Sequence, residues 1–208
     1  VRLDRTGCLY TDCRKNHMIE QITDLQFKRV CMFINEHRDL MKKLFNIKVN
    51  LSSLDLMRSD CSSHFIRMMD DMDIQHDWIQ FEITETVATE YNAGLGMVID
   101  GFMAAGVRLC LDDFGSGYAN LNTVMRLPFS AIKIDRTLLF DICNDKKRAM
   151  FYQSIVETFH RMGYSIVTEG VETEEEMSLL SSWGVDMIQG YYFSRPLPVD
   201  ELLKLLNM

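Results

Sequence analysis

Six short runs rich in β-branched and aromatic residues recur along the chain, each separated from the next by a segment long enough for a helix. That alternation constrains the fold more than any other feature. The runs are FNIKVNLS (45–52), WIQFEITE (78–85), VRLCLDD (107–113), AIKID (131–135), YSIVTEG (164–170) and VDMIQGYY (185–192), and their composition is that of strands. Between them, AMFYQSIVETFHRMG (149–163) sets Met150, Ile155, Phe159 and Met162 at helical spacing and stops at Gly163. TEEEMSLLSSWG (173–184) opens with Thr173 and an acidic first turn, which suits a helix N-terminus. Strand, helix, strand, repeated, implies parallel strands joined by right-handed crossovers.

Such a pattern fits an open doubly wound sheet or most of a closed (β/α)8 barrel. The dinucleotide fingerprint is absent, because Asn120 stands where the third glycine after Gly115 and Gly117 belongs. Side-chain alternation favours the barrel. Ile47, Val49 and Leu51 share one face with Phe45, against Asn46, Lys48 and Asn50. Ile79, Phe81 and Ile83 oppose Gln80, Glu82 and Thr84, while Val107, Leu109 and Leu111 oppose Arg108, Cys110 and Asp112. Ile132 and Ile134 oppose Lys133 and Asp135, and Glu169 shares its parity with Ser165 and Val167. Asn50, Glu82, Asp112, Lys133 and Glu169 therefore sit late in five successive strands, on the face turned away from the apolar one. In a barrel that position lines the active site.

Composition narrows the classes. With 208 residues, the chain is read as one domain over 1–208, and its net charge of −8 includes no basic block to track a DNA or RNA backbone. No run of about twenty apolar residues could span a bilayer. Cys8, Cys13, Cys31, Cys61, Cys110 and Cys143 form no C-x-x-C pair, as expected of reduced thiols in a cytoplasmic protein. The 15 methionines read as core filler and the 5 histidines as packing or surface residues. The chain opens on Val1, and VRLDRTG reads as the end of a strand entering a turn, which suggests a fragment.

Adjacent carboxylates at Asp112 and Asp113 repel each other unless a cation joins them. Together with Asn50, Glu82 and Glu169 they are hard oxygen donors suited to Mg²⁺ or Mn²⁺ rather than zinc. Two such ions activate water and stabilise the attacking and leaving oxygens of phosphoester hydrolysis, and Lys133 adds a fixed positive charge. Schiff-base chemistry at Lys133 fits poorly, since a lysine among carboxylates keeps its proton. A plain ion pair of Lys133 with Asp135 or a neighbour is the structural alternative.

These residues fall in motifs that, taken in order, resemble the EAL-domain cyclic di-GMP phosphodiesterases: VNLS (49–52), EITE (82–85), LDDFGSGYANL (111–121), LPFSAIKIDR (127–136), TEGVET (168–173) and QGYYFSRPLP (189–198). The resemblance covers nearly the whole chain. It implies a TIM-like α/β barrel, with an antiparallel first strand, that hydrolyses cyclic di-GMP to linear pGpG in bacterial second-messenger signalling with two Mg²⁺ or Mn²⁺ ions. By the same resemblance Asn50, Glu82 and Asp112 hold one ion, and Asp112, Asp113 and Glu169 hold the other. Lys133 contacts the catalytic water, and Glu85 anchors the loop after the two aspartates. That loop (113–122) couples homodimerisation to the site. Glu172 and Gln189 lie around metals and substrate, and Arg2 contacts a substrate phosphate.

The sequence departs from the family at its start. The Glu-Ala-Leu motif belongs immediately before Val1, so the resemblance implies a barrel truncated N-terminally by about two strands, lacking one metal-binding glutamate and weak or inactive as it stands. Ser116 and Thr168 replace the usual Thr and Ala. An upstream regulatory domain, and membrane attachment of the parent protein, are compatible with this reading. The alternative from another class is a non-hydrolysing cyclic di-GMP receptor or protein-interaction module.

Overall fold

The structure, a computed structural model, describes residues 19–89, 93–117 and 121–206. Arg2 and the VRLDRTG segment lie outside the described residues, as do Cys8, Cys13 and residues 118–120 of the loop after Asp113. The first half runs α1 (Ile19–Glu36), α2 (Arg38–Met41), β1 (Ile47–Asn50), α3 (Ser53–Leu56), α4 (Cys61–Asp71), β2 (Ile79–Thr84), α5 (Glu85–Thr89) and α6 (Ala93–Ala104). The second runs β3 (Arg108–Phe114), α7 (Leu121–Arg126), β4 (Ala131–Ile134), α8 (Arg136–Leu139), α9 (Lys146–Arg161), β5 (Ser165–Thr168), α10 (Glu174–Ser182), β6 (Met187–Ile188) and α11 (Val199–Leu206).

All six expected strands form. They pair in the order β1-β2-β3-β4-β5-β6, every neighbour parallel, as a half-barrel. Strict sequential order is the barrel's signature, since an open doubly wound sheet reverses its order at a switch point. The alternation read along the strands holds. Phe81, on the outer face of β2, is fully buried and contacts Phe27 of α1, Phe65 of α4 and Phe102 of α6 at ring-centroid distances of 5.5, 5.3 and 4.8 Å. One strand residue thus joins three helices to the sheet. The opposite face is buried too: Gln80, Glu82, Asp112 and Lys133 all lie in the interior, as parallel strands require.

Local signals fix the helix starts. Thr173 accepts from the Glu176 N–H while the Glu176 carboxylate accepts from the Thr173 N–H, a reciprocal cap worth about 1 kcal/mol. Ser52 and Asp55 form the same box before α3. Helix α9 begins three residues before the expected start, at Lys146, because the Asp145 side chain accepts from the N–H groups of Lys147 and Arg148.

Two sequence expectations need correction. The buried stripe of α9 is Tyr152, Val156 and Phe159, whereas Met150 and Met162 are exposed. The stripe is rotated because Tyr152 can be fully buried once its hydroxyl meets the Thr168 hydroxyl at 2.7 Å. Nor are the methionines mainly core: Met41 and Met69 are, but Met32, Met57, Met97, Met103, Met125, Met150 and Met162 face outward. The described cysteines are all free, with Cys31, Cys61 and Cys110 buried and Cys143 exposed. Among the described residues no helix is long and apolar enough to cross a membrane.

Candidate active site

Strand register places the donors. Asn50 stands opposite Glu82, which stands opposite Cys110, so these three share the inner face of the sheet. Between β3 and β4 the register slips: Leu111 pairs with Ile132 and Phe114 with Ile134. Asp112 and Asp113 together therefore oppose Lys133 alone. This is a bulge, which re-aims side chains next to sites. Asp113 takes a left-handed backbone, φ 58°, a conformation Asp tolerates better than most residues. Without the bulge, strict alternation would send the second carboxylate to the helix side of the sheet.

Lys133 is the hub. Its Nζ lies 2.9 Å from Glu82 Oε1, 2.9 Å from Asp112 Oδ1 and 2.7 Å from Glu169 Oε1, so carboxylates from β2, β3 and the residue after β5 meet at one buried ammonium on β4. Burial alone would lower the Lys133 pKa. The combined attraction of Glu82, Asp112 and Glu169 outweighs it and holds the lysine well above its ordinary value. Asp135 is not its partner, for its side chain instead caps α8 at the Thr137 N–H, 2.8 Å away. The Glu82 carboxyl is pushed up, chiefly by burial and also by Asp112, despite the pull of Lys133. One ammonium shared by three carboxylates leaves each only partly compensated. Asp113 is raised by burial and by the charges of Asp112, Glu169 and Asp135.

Carboxylate oxygens of Asp112, Asp113 and Glu169 lie within 4.8 Å of one another. The donor set is all oxygen, without a histidine or thiolate, which fits Mg²⁺ or Mn²⁺. Glu82 Oε1, also beside Lys133, supports the fit. It is buried and accepts no hydrogen bond of good geometry, although Lys133 Nζ stands 2.9 Å away as an ion pair. Asn50 is exposed at the end of β1, beside Glu82.

Around this cluster, Glu85 is buried and its Oε2 accepts from the Gly115 N–H at 3.2 Å, tying the start of α5 to the loop that leaves Asp113. The Ser116 N–H returns to the Asp113 carbonyl at 3.1 Å. Glu172 and Gln189 have exposed side chains at the ends of β5 and β6. The Gln189 backbone bridges Thr168 and Val171, and a Cβ at Gly190 would collide with the Val171 carbonyl. A cleft of about 820 Å³ runs along the loops after β4 and β5, past Arg136, Phe140, Arg148 and Glu172. Its walls omit the carboxylate cluster. One functional candidate escaped the sequence reading: Lys48, whose Nζ reaches to 3.7 Å of Glu82 Oε1. Its inward parity two residues before Asn50 was the available signal.

The EAL domain family matches residues 9–196. The chain belongs to the EAL-domain family. This EAL domain is 29% identical over 193 residues to the cyclic di-GMP phosphodiesterase NbdA of Pseudomonas aeruginosa, covering 92% of this chain and 24% of that protein. To the probable cyclic di-GMP phosphodiesterase PdeA of Escherichia coli it is 36% identical over 161 residues, covering 77% of this chain and 22% of that protein. The chain spans about a quarter of the length of the curated relatives it matches. Among solved structures, the EAL domain resembles the EAL enzyme Bd1971 in its cAMP- and cyclic-di-GMP-bound form, with TM-score 0.88 at 25% identity, covering 97% of this chain and 56% of that one. The PaMucR phosphodiesterase in complex with c-di-GMP gives TM-score 0.80 at 27% identity, covering 97% and 83%.

Proposed function

We propose that this EAL domain is a divalent-cation-dependent phosphodiesterase that hydrolyses cyclic di-GMP to linear pGpG. Water adds across one phosphodiester bond: its oxygen joins phosphorus, and the 3′ oxygen leaves with a proton. The observation that carries the reading is the meeting of Lys133 with Glu82, Asp112 and Glu169 beside the Asp112–Asp113–Glu169 oxygen triangle.

The residues divide the work. Asp112, Asp113 and Glu169 would hold one Mg²⁺ or Mn²⁺, and Asn50, Glu82 and Asp112 the other. When bound, such ions polarise the phosphate and lower the pKa of water. Lys133 stays an ammonium, so it serves as a donor and not as a base. It orients the attacking water and offsets charge that grows on the phosphate oxygens. Glu85 holds Gly115 and so fixes where Asp113 points. Glu172 and Gln189, exposed at the strand ends, contact substrate, and the loop over 113–122 mediates a homodimer.

Product analysis by ion-exchange chromatography tests the reading. The full-length protein with cyclic di-GMP and Mn²⁺ should release pGpG, EDTA should stop it, and excess Mn²⁺ should restore it. Release that is indifferent to EDTA would refute the cation-dependent chemistry.

A further inference from the structure

Two of the four site carboxylates differ in how their charge is met. Glu82 lies between two ammonium groups, Lys133 Nζ at 2.9 Å and Lys48 Nζ at 3.7 Å. Asp113 has no cationic side chain within 4.0 Å among the described residues, and it faces Asp112 and Glu169 across the oxygen triangle. Lys48 Nζ is itself buried and has no hydrogen-bond acceptor. Its place follows from β1, where Lys48 pairs with Gln80 and Asn50 with Glu82, so Lys48 and Asn50 project from the same face of one strand and converge on Glu82. A buried ammonium without an acceptor is costly, and among the described residues the Glu82 carboxylate is the one anion within 4.0 Å of it.

We infer that Lys48 makes the two cation positions unequal: the Asp112–Asp113–Glu169 position binds tightly, and the Asn50–Glu82 position binds at least tenfold more weakly. The inference rests on the cation-dependent reading above. A divalent ion ligated by Glu82 must sit within a few ångströms of the Lys48 charge, in a water-poor interior where that repulsion is weakly screened. Among the described residues Lys48 forms no ion pair with Asp112, Asp113 or Glu169, and a cation held by those three would replace repulsion among carboxylates with attraction. The second ion therefore loads last, and Lys48 sets the cation concentration at which it does so.

Mn²⁺ titration of the full-length protein, following the free ion by electron paramagnetic resonance, decides the matter. Wild type should bind two ions with constants at least tenfold apart. Lys48→Met should bring them within about threefold by tightening the weaker position, and Lys48→Arg, which keeps the charge, should preserve the gap. Lys48→Gln serves as a second neutral variant, with circular dichroism confirming that each is folded. Equal constants in wild type, or a gap unchanged in both neutral variants, would overturn the role of Lys48 and leave the functional reading standing. No Mn²⁺ binding by wild type would overturn the functional reading and this inference with it.

Discussion

The Asp113 backbone N–H donates to Asp112 Oδ1 at 2.9 Å, within a bulge that turns two successive carboxylates toward one side of the sheet. Asp113 holds its left-handed conformation at a cost that glycine would not incur. Asp113→Gly should therefore raise the stability of the cation-free protein by about 1 kcal/mol, while abolishing Mn²⁺ binding at the oxygen triangle. Urea unfolding in EDTA, paired with an Mn²⁺ titration, checks both halves. Stability gained as function is lost is the pattern expected where strain serves a site.

Lys133 compensates the buried Glu82 and Asp112 and the half-buried Glu169, so removing it leaves them to repel one another. Lys133→Met should cost about 3 kcal/mol in the cation-free protein. Saturating Mn²⁺ should return part of that loss, because the ion replaces some of the missing positive charge. Unfolding curves with and without Mn²⁺ measure the difference, and hydrolysis should fall at least 100-fold.

Glu85 holds the loop after Asp113 through the Gly115 N–H. Glu85→Ala should free that amide and lower Mn²⁺ affinity at the oxygen triangle about tenfold, on the scale of a hydrogen bond to a charged group of about 1.5–3 kcal/mol. Glu85→Gln, which keeps an acceptor oxygen, should recover much of the effect. Hydrogen exchange at Gly115 reports the anchor directly.

The Tyr152–Thr168 pair predicts a pH effect. Burial raises the Tyr152 pKa above its ordinary 10.0, against the opposing hydrogen bond from Thr168. The folded chain thus keeps a proton that the unfolded chain releases near pH 10. The stability this contributes is complete below that pH and is lost as pH rises above it. Tyr152→Phe should cost about 1 kcal/mol at pH 7 by leaving the Thr168 hydroxyl without its partner. The gap between variant and wild type should close as pH rises above 10, measured by urea unfolding at each pH.

Much of this arrangement was legible in the residues. The alternation in β1 to β5 named Asn50, Glu82, Asp112, Lys133 and Glu169 as one constellation, because parallel strands in sequential order force inward side chains together. The bulge was not legible: alternation assigns Asp113 to the outer face, and only the slipped β3–β4 register brings it back. Lys48 was passed over because parity marks a face without saying what a long side chain reaches. The α9 stripe was misphased because a tyrosine hydroxyl reads as polar until its buried partner on β5 is known. Arg2 lies outside the described residues.

The proposed function requires the Asp112–Asp113 bulge to build a hydrolytic centre and not merely a binding one. Substrate binding and turnover measured side by side on the full-length protein test this most directly, with cyclic di-GMP affinity from calorimetry in Ca²⁺ and pGpG release in Mn²⁺, for wild type and Asp113→Asn. Wild type should bind cyclic di-GMP and release pGpG, and Asp113→Asn, which keeps the left-handed backbone, should fold but release none. Tight binding of cyclic di-GMP by wild type with no pGpG formed would contradict the proposed function.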